Sequence, residues 1–416
     1  MDREEKRSFI LNVVNGTLFN FAERLIDPPL VLTWFVSQLT RSNLLTGLVA
    51  PLGDAGWYLP QIFVSTYVQR MERKMPSYTF TAGIRLAAWL LLALAVFFVD
   101  NPMALLGAFF SLYLLARLVS GVAGIAFFEV TAKTVSPHRL GSLFAWRLLL
   151  GGLLGISAGW IVNEVLSHSG FPFPKNFALL FALYCLITGP AMAAFIAIRE
   201  PPGQANPNPI TIKEQWRRAG LLLKRAGLLL KEDKPFFLFI LSQVCLTLAG
   251  ASVPFFTVYA TKVLGATSGL LGLYLSLRIA SQLASNLPWG RLTDRFGERL
   301  ILIIYSLGNA ITILLALGMA FWPKNSLSPY LMALVFSLQG AFLPAGAIVS
   351  ASYPLKLSPE SERPLYIGLY NTVIGVAMLL AGLGGLVVDL VGFVPLFSLS
   401  FLFCLASYFL AQRLPL

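Results

Sequence analysis

Twelve predominantly apolar stretches follow one another through this chain, near 9–37, 44–68, 78–99, 104–130, 141–166, 177–198, 236–260, 266–289, 300–321, 328–354, 365–390 and 394–411. Each approaches or exceeds the roughly 20 residues a helix needs to cross a bilayer. Among spanning structures, a helix satisfies its backbone hydrogen bonds within the segment itself. The chain is 57% hydrophobic and 12% charged. Soluble domains carry roughly 25% charged residues, so lipid is the solvent here. The intervals between stretches leave no room for a soluble catalytic domain. The expected class is an all-α polytopic membrane protein.

A net charge of +12 raises the question of nucleic acid, and its distribution answers it. With the N-terminus in the cytoplasm, the cytoplasmic intervals hold Arg70, Arg73, Lys74, Lys133, Arg139, Arg199, Arg291, Arg295 and Arg299 among many other bases. The opposite face holds only Arg41, Lys175, Lys262 and Lys324. This is the positive-inside bias of a membrane protein. It predicts both termini in the cytoplasm, a cell (inner) membrane of bacterial type, and no nucleic-acid partner. Cys185, Cys245 and Cys404 fall inside apolar stretches with no paired spacing, so neither a disulfide framework nor a metal site is expected. No short apolar run ending in a small-residue cleavage site opens the chain, so no removable signal peptide is expected.

The chain echoes itself at an offset of 225 residues: Pro29 with Pro254, Gly47 with Gly272, Arg70 with Arg295, Gly83 with Gly308, Gly121 with Gly346. Two six-span halves follow, over 1–198 and 236–416, the pattern of parallel repeats. The linker, 199–235, begins with Pro201, Pro202, Pro207 and Pro209. It continues with a duplication, Arg218-Ala-Gly-Leu-Leu-Leu-Lys224 then Arg225-Ala-Gly-Leu-Leu-Leu-Lys231. Bases alternating with leucine triplets predict an amphipathic basic helix on the anionic inner leaflet.

Between the stretches near 266–289 and 300–321 lies Gly290-Arg291-Leu292-Thr293-Asp294-Arg295-Phe296-Gly297-Glu298-Arg299. It resembles the cytoplasmic signature of the major facilitator superfamily, G-x-L-x-D-R-x-G-x-R. The corresponding first-half loop, Ser65 to Lys74, keeps Arg70 and Lys74 but has Gln69 in place of the aspartate. The resemblance implies twelve transmembrane helices in two pseudo-symmetric six-helix bundles that give alternating access to a midplane site. It implies that Gly290, Asp294, Arg295, Gly297, Arg299, Arg70 and Lys74 belong to a cytoplasmic gate, with Glu129 pairing there with Arg70 or Arg73. Asp294 is expected to act near the start of span five at Gly141. Arg117-Leu-Val-Ser-Gly121 resembles the family's fourth-helix motif, with Ser120 in place of the usual glutamine. Gly151, Gly155 and Gly159 resemble the antiporter motif of drug exporters but lack its proline; close packing across the half-to-half interface is the preferred reading.

Charge inside a span is costly, roughly 2.5–3.5 kcal/mol at its centre on insertion scales, and so marks function by default. Glu23, Arg24 and Asp27 in span one, Asp54 in span two, Arg117 in span four and Arg278 in span eight meet that test. At about 100° per residue, Asn12, Gly16, Asn20, Glu23, Arg24 and Asp27 share one arc of the first helix. Arg24 and Asp27, three apart, can pair on it. Two readings stand: ion pairs that lock helix to helix, or a carboxylate that takes up a proton or a substrate cation. Glu23 and Asp27, then Asp54, are the first choices for a proton site. Trp34, Trp57, Tyr58, Tyr259, Tyr274 and Tyr353 are expected to line the cavity.

No glycine loop followed by Lys and Ser/Thr suggests ATP chemistry, and neither an enzyme nor a cofactor is expected. The expected function is proton-coupled export of a small, partly apolar molecule by a monomeric secondary carrier. Import or facilitation of a sugar or zwitterion is one alternative; a non-transporting sensor or assembly protein is another.

Overall fold

The computed structural model describes residues 3–69, 71–168, 170–203, 232–359 and 363–414. Arg70 and most of the expected linker helix lie outside them. The described chain forms helices α1 (Arg3–Leu25), α2 (Thr33–Leu39), α3 (Asn43–Gln69), α4 (Met75–Phe98), α5 (Pro102–Thr134), α6 (Pro137–His168) and α7 (Lys175–Ile196). Its second part forms α8 (Lys234–Ala249), α9 (Val253–Lys262), α10 (Ser268–Gly318), α11 (Ser328–Leu357), α12 (Arg363–Gly382), α13 (Gly384–Val391) and α14 (Phe393–Gln412). Among the described residues nine helices are long and apolar enough to cross a membrane. One of these, the 51-residue α10, covers two expected spans and turns at Gly297, whose φ of 79° suits a residue without Cβ. Only this glycine of the signature turns the chain: Gly290 stays helical, and a Cβ there would meet open space.

The first expected span breaks where Asp27-Pro28-Pro29 removes two backbone donors. The break is closed locally. The Asp27 carboxylate accepts from Leu30 N at 3.2 Å, and its carbonyl accepts from Leu30, Val31 and Leu32 N at 3.3, 2.8 and 3.2 Å. Pro28 O accepts from the Thr33 hydroxyl at 2.9 Å. A π-helical turn, Pro28–Leu32, carries the chain into α2.

The chain divides into two compact units, Met1–Leu39 with Leu52–Glu214, and Thr40–Pro51 with Gln215–Leu416. In the first, α1 packs on α6 and α7, and α4 on α5 and α7. Its core joins Phe35, Phe109, Phe177 and Phe181, ring against ring at 4.9–5.6 Å around Phe35. In the second, α10 packs on α11 and α14, and α8 on α12 and α14.

The sequence-based boundary leaves 40–51 in the first half, whereas the compact units place it in the second. The reason is specific contact. Asp389 on α13 caps the N-terminus of α3, accepting from Asn43 N at 3.0 Å, Asn43 Nδ2 at 2.8 Å and Leu44 N at 3.0 Å. A Cβ at Gly47 would stand 3.2 Å from Gly382 O and Gly385 N, and one at Gly385 would stand 2.0 Å from Asn43 O. Glycine-to-glycine approach of this kind brings helix backbones together in lipid.

Candidate functional site

Glu23 is where the first unit gathers its charge. On α1, two turns beyond Asn15 and Gly16, its carboxylate accepts from Arg117 Nη1 at 3.3 Å and from the Tyr184 hydroxyl at 2.9 Å. The pair is neither dry nor solvated: Arg117 is 19% and Glu23 26% exposed. Arg117 is fixed from a second side, donating Nε to Gly53 O at 3.1 Å. Only glycine fits at 53, because a Cβ would stand 2.1 Å from the Tyr113 hydroxyl oxygen, and at 56 a Cβ would stand 2.9 Å from that of Arg117. Asp54, exposed on α3, lies within the electrostatic field of Arg117. Glu23, Arg117 and Asp54, found in the sequence as isolated charges, are therefore neighbours on α1, α5 and α3.

Asp27 has different work. It is 4% exposed and caps the turn after α1, its Oδ1 accepting from Leu30 N. Arg24 is half-buried one turn before. Asn20 folds back, donating Nδ2 to Gly16 O at 2.8 Å and to Arg147 O at 3.4 Å. Arg278 is buried on α10, and Gly340 of α11 lies so near its backbone that a Cβ would stand 2.0 Å from Arg278 O.

Sequence reasoning missed Arg147 and Tyr184. Arg147 is a charge inside the stretch 141–166, so the rule that flagged Arg117 applied to it as well. Its Nη1 donates to Asn12 O at 2.6 Å, Asn12 Oδ1 at 3.0 Å and Asn15 Oδ1 at 3.0 Å. Its guanidinium covers the Phe127 ring at 4.6 Å, and the Gly16 backbone leaves the room for it. Tyr184 gave no signal, since a tyrosine in an apolar helix looks like any aromatic. The polar arc on α1 faces the interior of the first unit over its N-terminal half, where Asn12, Asn15 and Gly16 are buried. It becomes half-exposed at Asn20, Glu23 and Arg24.

Several expected wall residues are core instead. Tyr259 packs on Phe393 and Phe397, Tyr274 stacks on Phe336 at 4.6 Å, and Tyr353 meets Phe239 edge-on at 5.0 Å. Trp34 rests on Phe177 at 5.3 Å. The side chain of Tyr58 lies outside the described set. Gly151 makes close packing too, but against α1 of its own unit: a Cβ there would stand 2.6 Å from that of Asn20.

At the start of α4, Glu200 ties the linker's first residues to the first unit. Its carboxylate accepts from Lys74 N at 2.8 Å, Met75 N at 2.7 Å and Lys133 Nζ at 2.7 Å. Burial first, then the neighbouring Lys133, holds the Lys74 ammonium below its usual value, with Glu129 and Glu200 opposing. Glu129 is exposed and acts on Lys74; of its expected partners, Arg70 lies outside the described residues and Arg73 forms no ion pair with it. Glu5 accepts from the Ser136 amide at 3.0 Å and from its hydroxyl. Those bonds hold its carboxyl below the usual 4.5.

In the second unit, Arg299 donates to the last carbonyls of α14, Ala411 O at 3.4 Å and Gln412 O at 2.5 Å. Glu298 pairs with Lys356 at 3.0 Å. Asp294 and Arg295 are exposed; Arg295 lies over Phe296 at 5.1 Å, and Asp294 forms no ion pair among the described residues of this unit.

Comparison with known proteins places these features. No curated protein matches the sequence. Residues 238–415 match the profile of the Major Facilitator Superfamily. Among solved structures, a D-xylose-proton symporter superposes with TM-score 0.74 at 16% identity, over 99% of this chain and 98% of that one. A bacterial homologue of the iron transporter ferroportin, in its inward-facing state, gives 0.73 at 14% identity over 99% of each chain. The nucleoside transporter NupG, in a point-mutant form, gives 0.71 at 14% identity over 99% of each. The second half of this multi-pass membrane protein thus matches the Major Facilitator Superfamily profile, and the chain as a whole shares its fold with solved transporters.

Proposed function

We propose that the protein is a proton-coupled secondary carrier working by alternating access, with Glu23, Arg117 and Tyr184 as its coupling centre. The observation that carries this reading is the half-buried Glu23 carboxylate held between a guanidinium and a phenol. While Arg117 is at hand, the ionised carboxylate is favoured. If substrate or a helix movement draws Arg117 away, a bare carboxylate in apolar surroundings costs several kcal/mol, and uptake of a proton removes that cost. Glu23 then changes protonation with the state of the carrier, which is what coupling requires. Asp54 is the auxiliary carboxylate within reach of Arg117's charge, and Arg24 and Asn20 line the same stretch of α1. Arg278 is the corresponding buried cation of the second unit.

The cargo is a small polar solute. Charged groups and phenol hydroxyls gather at this centre. The fold neighbours support the same reading, being named for nucleosides, D-xylose with protons, and 5-aminolevulinic acid. The exposed Asp294 serves as a gate carboxylate, with Gly297 as the turn that presents it and Arg299 as the anchor to α14. The test uses sealed proteoliposomes offered a metabolite mixture under an imposed pH gradient, read by mass spectrometry. The wild type accumulates a polar solute under one sign of gradient, and that sign gives the direction of transport. Glu23→Gln transport that keeps the wild-type pH dependence defeats the proposal.

A further inference from the structure

Along α1 the first unit places three guanidiniums at successive levels, and only the uppermost meets a carboxylate. Arg147 lies against Asn12, Asn15 and Gly16; Arg85 lies over the Phe19 ring at 4.8 Å, one turn on; Arg117 reaches Glu23, one turn further. Arg147 is 8% and Arg85 6% exposed. Neither has a carboxylate within ion-pair distance among the described residues. Arg147 makes its hydrogen bonds to α1 through Nη1 alone. Arg85 donates once, from Nη1 to the Ser120 hydroxyl at 3.3 Å, and its Nε is buried with no partner. Two more groups on the same part of α1, Asn12 Nδ2 and the Thr17 hydroxyl, are buried and unpartnered as well.

These orphans share a sign. Arg85 Nε, Asn12 Nδ2 and the Thr17 hydroxyl can each donate, and the two cations here, Arg85 and Arg147, have no carboxylate in ion-pair distance among the described residues. Buried polar groups are ordinarily satisfied, and buried charges paired. A group that supplies several acceptor oxygens and negative charge completes this inventory, and the planar guanidinium fork fits a carboxylate or phosphate with two parallel bonds. We propose that Arg85 and Arg147, with Asn12, form a binding site for a small oxyanion, and hence that the transported solute carries a carboxylate or phosphate group. This rests on the carrier reading above and names its substrate class.

The experiment is thermal unfolding of the full-length protein in detergent with succinate or inorganic phosphate. Choline chloride at equal ionic strength and xylose are the controls. At least one oxyanion should stabilise saturably, with no matching effect from chloride or the sugar; the one that acts assigns carboxylate or phosphate. Arg85→Gln and Arg147→Gln should each weaken its apparent Kd at least tenfold. Arg85→Lys and Arg147→Lys keep the charge but lose the fork; they should weaken it at least threefold, and they decide the matter if the glutamine variants do not fold. No stabilisation by either oxyanion, or wild-type affinity in the variants, overturns the proposal. The pH dependence of transport in Glu23→Gln is read separately, so failure of anion binding and failure of proton coupling are told apart.

Discussion

At the scale of single residues, two carboxylates four positions apart on one helical arc do different jobs because their partners differ. Glu23 meets a cation and a phenol; Asp27 caps the turn that follows it. The assignment has a mutational signature. Asn caps a helix about as well as Asp, so Asp27→Asn should unfold thermally near wild type and keep the pH dependence of transport. Asp27→Ala should cost about 0.5–2 kcal/mol with that pH dependence unchanged, measured on the same purified protein. A loss of pH dependence in Asp27→Asn would return Asp27 to the coupling centre. From sequence the two were indistinguishable, since intramembrane charge flags both. Which one binds backbone is settled by Pro28 and Pro29, which leave Asp27 at the head of a new turn.

At the scale of elements, glycines mark where helices touch, and their surroundings rank them. Gly340 faces the Arg278 backbone carbonyl, which has little freedom to yield, whereas Gly290 faces open space on a continuous helix. Gly290→Ala should be neutral or stabilising by up to about 1 kcal/mol, the helix propensity difference. Gly340→Ala should destabilise by about 1–3 kcal/mol, as overpacking does. Gly297→Ala should also destabilise, because φ of 79° disfavours a side chain. Thermal unfolding of the three variants side by side gives the order; a destabilised Gly290→Ala would show that position to be a turn. The signature motif was legible as a motif, but which of its glycines bends the chain was not. Periodicity carries no information on φ. The carboxylates Glu5, Glu200 and Asp389 cap the starts of other helices across long sequence separations. Such partners are invisible to local spacing rules.

At the scale of the whole molecule, the apolar stretches announced the helices because lipid makes the same demand of every span. The 225-residue echo announced two halves. The allotment of Thr40–Pro51 to the second unit escaped sequence reading, for it depends on Asp389 and on Gly382 and Gly385 at the far end of the chain. The candidate site was legible where a charge stood in an apolar run, as at Glu23 and Arg117. It was not legible where a neutral residue supplied the contact, as at Tyr184 and Asn15. A gate role for Asp294 belongs to this scale. Asp294→Asn should lower the turnover rate several-fold while leaving substrate affinity within about twofold; a pure affinity loss would move it from gate to binding site.

Proton coupling through Glu23 is the claim on which the account turns. Its most direct test is solute accumulation in proteoliposomes at a series of imposed pH gradients, wild type beside Glu23→Gln. Wild-type accumulation should follow the gradient, and Glu23→Gln should carry solute only down its own concentration difference, whatever the gradient. Accumulation by Glu23→Gln that still tracks the gradient would contradict it.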